Sequence, residues 1–400
     1  CGKTYTARHA AASALFMQDR DNSANYKQIA ATKPSLLLEG ETPRLIDEWA
    51  EAPVLWDAVR YAVDMRGDVG QFILTGSAVP KDVTDDENLK EEEKRMHSGV
   101  GRIAPMRMRT MSLWESKESN GKVSLASLFE GDADVAAISD LTIEGLAYAT
   151  CRGGWPASTK LKEKAALRVA RNYVEEVINY DVHRVDGVDK NTTRVRKLLE
   201  SYARNISTMA ANETIMADVR ATDQTISPNT FAIYLSALRR IFIVDDVPAW
   251  SPALRSKTKI RTSPKRHFVD PSIAVALMGT NPQGLLKDFP TFGFLFEDLC
   301  ARDLRVYAQA LDGEVYHYRD KNELECDLVV ALRDGRWGAV EVKLGKNEEE
   351  DAAKHLIELS EKIDNQRMKS PSFLMILTAG QYAYRRADGV YVVPIGCLKD

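Results

Sequence analysis

The sequence predicts an α/β chain in three parts: a parallel-sheet domain, a helical and winged-helix middle, and a compact C-terminal α/β module. Three observations lead there. Gly2-Lys3-Thr4 runs straight into a helical stretch, as the tail of a phosphate-binding loop does. Short apolar strands ending at Asp47-Glu48 and at Gly76-Ser77 alternate with helices, the pattern of a parallel sheet. From about residue 290 onward the chain reads helix, strand, strand, strand, helix, strand.

Composition bounds the rest. The 400 residues suffice for two or three cores, and 44% hydrophobic with 28% charged residues is ordinary for a globular chain. A net charge of -4 advertises no global attraction to nucleic acid or to an anionic membrane. No apolar run approaches the roughly 18–20 residues of a membrane span, so no membrane partner is expected. The five cysteines are scattered without CxxC spacing, which argues against a disulfide framework or zinc site and for a reducing cytoplasm.

The first domain is expected over residues 1–120. A helix follows Thr4 to about Met17, "RLIDEW" is a strand that ends in two acids, and "GQFILTGSA" is a buried strand. "GRIAPMRMRTMSLWES" supplies one more strand. Residues 121–190 read as a helical lid or linker, interrupted at "CRGGWP". In the winged-helix-like part, 191–285, Ser227 is an N-cap and Pro228 a first helical residue. Phe231, Tyr234, Leu235 and Leu238 then share one buried face, and a two-stranded hairpin follows. Residues 286–400 form the last module.

Each element of the first domain has a job at a nucleotide. The amides of Gly2, Lys3 and Thr4 would face phosphate, the Lys3 charge would sit on the β- and γ-phosphates, and the Thr4 hydroxyl would ligate Mg²⁺. Asp47 would hold the same Mg²⁺, Glu48 would polarise the attacking water, and Thr75 or Ser77 would contact the γ-phosphate. The plain alternative for Asp47-Glu48 is a solvated helix start. Arg102 is a candidate for stabilising charge on the transferring phosphoryl group, the alternative being a surface arginine in a basic run.

"GKT", "PRLIDEW", "FILTGSA", Gly101-Arg102, "GGWP", "HFVDPSI", "FLFEDL" and "EVK" follow one another in this order. In this the chain resembles a family of prokaryotic AAA+-like P-loop ATPases whose C-terminal domain of unknown function is similar to the PD-(D/E)xK nuclease fold. The resemblance implies ATP and Mg²⁺ as cofactors. The family pattern is GxxxxGKT, and its first glycine would fall four residues before Cys1. The strand that feeds the loop is not in the chain either, so weak ATP binding is the expectation for these 400 residues.

The C-terminal module holds Asp327, Glu341 and Lys343. Strand alternation puts Glu341 and Lys343 on one face with Trp337 and Ala339. A hairpin loop of three or five residues at "RDGR" brings Asp327 to that face; a loop of two or four puts it on the other. Glu297, on a mainly apolar helix, is the fourth member. Glu297, Asp327 and Glu341 suit a divalent metal, with Lys343 as the group that orients or deprotonates water. The alternatives are a charged pair on an exposed strand and an inactive module kept for binding.

Between Asp246 and Asp270 there is no acid, but there are Arg255, Lys257, Lys259, Arg261, Lys265 and Arg266. On a wing they would contact DNA phosphates; the alternative is a hairpin docked on an acidic neighbour. The sequence therefore points to a Mg-ATP hydrolase associated with nucleic acid, with a metal-dependent nuclease-like C-terminal domain. A second reading is an ATP-driven switch acting on protein partners through a silent C-terminal domain. A homo-oligomer is left open.

Overall fold

Strands Ser13–Phe16 (β1), Arg44–Asp47 (β2) and Phe72–Thr75 (β3) form a parallel sheet in the order β1-β2-β3. The structure is a computed structural model and describes residues 2–77, 101–131, 135–185, 190–221, 223–252, 263–320, 322–363 and 369–400. The chain divides into two compact units, Cys1–Met108 and Arg109–Asp400. Together they are mixed α/β, with parallel strand pairing in each and many helices.

In the first unit, register decides what meets what. Phe16 lies beside Asp47 and Asp47 beside Thr75, so the three strands end level with one another. The helix Lys3–Ala10 lies against β2 and β3, the helices Ser23–Thr32 and Val54–Arg66 complete the layers, and Leu15, Met17, Leu38, Ile46, Trp49 and Leu55 fill the core. The helix expected to run to Met17 stops at Ala10, and residues 13–16 are a strand. The reason is pairing. Once Arg44–Asp47 is extended, Ala14, Leu15 and Phe16 gain a ladder beside it, and Leu15 is buried.

The second unit is built on a seven-stranded mixed sheet. Its strands are β5 (Ala137–Ile138), β6 (Gly313–Arg319), β7 (Glu325–Leu332), β8 (Trp337–Lys343), β9 (Phe373–Thr378), β10 (Tyr382–Arg385) and β11 (Tyr391–Pro394), in the order β5-β10-β11-β9-β8-β7-β6. The short strands β4 (Val123–Ser124) and β12 (Leu398–Lys399) pair separately. Alternation along β8 sends Val340 and Val342 into the cluster with Phe292, Leu295 and Leu299 of the helix Phe289–Ala310. Trp337 and Ala339 go to the other cluster, with Ala352, Leu356 and Leu359 of the helix Glu349–Lys362. One helix therefore covers each face. The order helix, strand, strand, strand, helix, strand is the one read from the sequence.

The helix expected after Ser227 forms. Ser227 caps the helix Pro228–Arg240 by accepting from the Thr230 amide, and Phe231, Tyr234, Leu235 and Leu238 are buried. Antiparallel bridges Val244–Phe268 and Val247–Lys265 follow it. The strand expected within 101–116 does not form. Partners outside any ladder take its amides: Met111 donates to the Gly154 carbonyl (2.8 Å) and Leu113 to Asp303 Oδ2 (2.9 Å).

"GGWP" and "HFVDPSI" are bound into one buried network. Asp270 accepts from the Gly154 amide (2.9 Å), caps the helix Pro271–Met278 through Ser272, and meets the buried Arg302 guanidinium at 3.2 Å. Trp155 Nε1 donates to Ser272 Oγ (2.9 Å). A Cβ on Gly154 would stand 2.0 Å from the Met111 carbonyl oxygen, so no larger residue fits there unless the backbone moves. Gly154→Ala is expected to destabilise the second unit by at least about 1–3 kcal/mol, the range for forced overpacking. Thermal denaturation checks it, and an unchanged midpoint contradicts the close approach.

Candidate functional sites

In the first unit one carboxylate organises the site. Asp47 Oδ1 accepts from Thr4 Oγ1 at 2.8 Å and from Thr75 Oγ1 at 2.5 Å. Glu48 Oε1 accepts from Ser77 Oγ at 3.0 Å. Gly2 takes the left-handed conformation (φ 88) and turns the chain into the helix that begins at Lys3. The ends of parallel strands, faced by a helix N-terminus, are where open α/β sheets place ligands. Gly2, Lys3, Thr4, Asp47, Glu48, Thr75 and Ser77 are thus brought to one end of the sheet. Arg102 pairs with Asp64 of the helix Val54–Arg66 at 2.7 Å.

Glu48 is held at φ 53, ψ 49, a left-handed conformation that costs a residue with a Cβ about 1–2 kcal/mol. Strain of this kind collects where a side chain must be aimed. Here it sets the Glu48 carboxylate beside Ser77 while Asp47 stays in the ladder.

The fit of Mg²⁺ to this set follows from its chemistry. A hydroxyl and a carboxylate 2.8 Å apart, beyond a left-handed glycine and a helix-opening lysine, are hard oxygen donors suited to Mg²⁺.

In the second unit the hairpin register settles the face of Asp327. Leu332 N donates to Arg336 O, leaving a three-residue loop, Arg333–Gly335, with Gly335 at φ 87. Leu328 pairs with Val340, so Asp327 comes opposite Glu341 one step further on. Asp327 Oδ2 accepts from the Val342 amide at 3.0 Å. Lys343 Nζ lies 2.9 Å from Glu341 Oε2 and 3.5 Å from Asp327 Oδ2. A cavity of about 480 Å³ opens on these three residues and is also lined by Leu324, His355 and Glu358.

The fifth member is one the sequence reading placed elsewhere. Lys265 Nζ donates to Glu297 Oε1 at 2.7 Å and to Asp327 Oδ1 at 3.0 Å. Its side chain is 6% exposed. Glu297 thus joins Asp327 through a lysine. Burial pulls the Lys265 ammonium down, but Asp327 and Glu297 outweigh it and hold it charged. Burial pushes Asp327 up, yet Lys265, Lys343 and the Val342 amide keep it well below the usual carboxylate range. Burial raises Glu297 to about 7, and burial together with Asp327 raises Glu341 to about 8.

Two of the basic residues assigned to nucleic acid are therefore corrected. Lys265 is buried among carboxylates. Arg266, 2% exposed, donates to the Ala210 carbonyl (2.7 Å) and to Asn212 Oδ1 (3.0 Å) and pairs with Asp246 at 3.2 Å. Neither is open to a phosphate. Arg255, Lys257, Lys259 and Arg261 lie outside the described residues. The useful signal was position: Lys265 and Arg266 run directly into the buried "HFVDPSI".

A divalent ion does not fit Glu297, Asp327 and Glu341 as they stand. Both Asp327 oxygens, Glu297 Oε1 and Glu341 Oε2 already face an amide or an ammonium. Among the described residues, no group of three or more His, Cys, Asp or Glu is arranged to hold a metal ion.

Residues 143–284 match the family model described as Domain of unknown function (DUF8612), and residues 292–398 that described as Domain of unknown function (DUF4143). The second kind of domain is found in AAA-ATPase-associated families, a loose fit to a P-loop ATPase. Lys265 thus comes from the first matched segment and Glu297, Asp327, Glu341 and Lys343 from the second. No curated protein and no solved structure matches the chain. Among the described residues, no helix is long and apolar enough to cross a membrane.

The strained conformation of Glu48 gives a direct expectation. Glu48→Gly removes the Cβ penalty and loses only an exposed contact, so the first unit becomes about 1 kcal/mol more stable. Denaturant unfolding measures this, and a clear loss of stability contradicts it.

Proposed function

We propose that the first unit is a P-loop-type nucleotide hydrolase working on Mg-ATP, and that turnover there drives a switch in how the second unit engages a partner. The observation that carries the first half is the Asp47 carboxylate, shared by the hydroxyls of Thr4 and Thr75 at the sheet end.

Each residue has a role that follows from its position. Gly2 admits the tight turn, and the first-turn amides of the helix that opens at Lys3 point toward an anion-binding end. Lys3 adds a full charge to the positive end of the helix dipole. Thr4 and Asp47 offer hard oxygen ligands. Glu48 is the acceptor for a proton of the attacking water, steadied by Ser77. Thr75, bonded to Asp47, and Ser77, bonded to Glu48, would couple the two carboxylates to the γ-phosphate end of a ligand. Bound Mg²⁺ would neutralise charge on the phosphate oxygens. Arg102, engaged by Asp64, is not assigned a catalytic part.

For the second unit, the lysine between Glu297 and Asp327 supports a silent binding module over a nuclease. Its partner is proposed to be protein. The nucleic-acid reading now rests on Arg255, Lys257, Lys259 and Arg261, by sequence alone. A cytoplasmic setting suits the four buried free cysteines Cys151, Cys300, Cys326 and Cys397.

ATP turnover tests the reading, measured for these 400 residues and for a chain extended upstream through a complete GxxxxGKT loop. In the extended chain Lys3→Ala and Asp47→Asn should each lower turnover by about 10²–10³, the usual loss when one preorganised charge-stabilising group is removed. Turnover that survives both substitutions contradicts it. For nucleic acid, Lys257→Ala, Lys259→Ala and Arg261→Ala together are expected to leave DNA affinity and its salt dependence unchanged. A fall in slope of about 0.9 log unit per lost phosphate contact restores the DNA reading.

A further inference from the structure

The acid pocket of the second unit and its lysine pose a question separate from nucleotide hydrolysis. Asp327 and Glu341 line a cavity, and Glu297 is linked to Asp327 through the ammonium group of Lys265. We infer that Lys265 is a tethered counter-cation that closes the Glu297–Asp327–Glu341 pocket to divalent metal ions.

Geometry carries this. Lys265 Nζ makes the shortest links between Glu297 on its helix and Asp327 on β7, at 2.7 and 3.0 Å. The lysine is not a surface side chain that has folded in. Its backbone is fixed by reciprocal bonds with Val247, Lys265 N to Val247 O and Val247 N to Lys265 O, both 3.0 Å. The next two residues are fixed as well: Arg266 by Asp246 and Ala210, and His267 by Asp298 at 2.7 Å. The ordering entropy of Lys265 is thus largely spent by the fold, and the ammonium is delivered in place.

Charge balance points the same way. The ion-paired cluster holds three carboxylates (Glu297, Asp327, Glu341) and two ammonium groups (Lys265, Lys343). The carboxylates outnumber the ammonium groups by one, so a doubly charged ion is not needed to compensate them. To enter, such an ion would have to displace the ammonium of a side chain only 6% exposed, leaving that charge unpaired. The lysine comes from one matched domain segment and the acids from the other, so the closure also joins the two segments through one buried ion-pair group.

The experiment uses the full chain without nucleotide and Mn²⁺ alone as probe, with bound metal read by electron paramagnetic resonance. The chain, Asp327→Asn, Lys265→Met and the double variant Lys265→Met/Asp327→Asn are titrated side by side. The chain and Asp327→Asn should take up Mn²⁺ identically. Lys265→Met should gain a site at least tenfold tighter than any in the parent, and the added Asp327→Asn should remove it. Mn²⁺ uptake by the parent chain that Asp327→Asn abolishes overturns the inference, and so does a folded Lys265→Met that binds no more metal than the parent. If Lys265→Met does not fold, the parent against Asp327→Asn decides alone. None of these readouts depends on ATP turnover, so their failure is distinct from failure of the nucleotide reading.

Discussion

Burying carboxylates at the end of a β-sheet costs several kcal/mol per charge unless cations accompany them. In the second unit the accompanying cation is Lys265, and much of the surrounding structure serves to deliver it. The Val247 bridge sets its backbone, the 22-residue helix Phe289–Ala310 presents Glu297, and the three-residue hairpin loop sets Asp327 opposite Glu341. Removing one partner of such a buried group typically costs about 3–5 kcal/mol, because the remaining charge is stranded. The same helix also carries Asp298, Arg302 and Asp303 into the network that holds "GGWP" and "HFVDPSI" together. Buried polar pairing, as much as apolar packing, fixes how these segments meet.

The first unit uses a carboxylate differently. Asp47 is 9% exposed and accepts from two hydroxyls, whereas Asp327 is enclosed by two ammonium groups. A carboxylate held by hydroxyls can receive a hard cation without expelling them as charges. One satisfied by lysines cannot. The two acid sites differ in this respect more than in their residue types, and the difference is the ground on which we propose a metal-nucleotide function for one and a binding function for the other.

Much of this was legible in the sequence where period and punctuation agreed. β2 and β3 could be read because each is a short apolar run ending in polar residues, and their register put Asp47 beside Thr75. Alternation put Glu341 with Lys343, while the face of Asp327 hung on a loop length that "RDGR" alone left open; Gly335 at φ 87 closes it at three residues. What failed was decided by distant partners. Nothing local in "ALF" says strand, since it becomes one only beside Arg44–Asp47. "RMRTMSLW" reads as extended, yet its amides go to Gly154 and Asp303. Lys265 looked like one more wing cation because a sequence gives its charge and not its neighbours.

The most direct measurement is a crystal structure of the chain, extended upstream through a complete phosphate loop, grown with Mn²⁺ and a non-hydrolysable ATP analogue. Anomalous scattering would then locate the metal. The account predicts a manganese peak between Thr4 and Asp47, with Lys265 Nζ still bridging Glu297 and Asp327. A manganese peak among Glu297, Asp327 and Glu341, with Lys265 displaced and none beside Asp47, would contradict it.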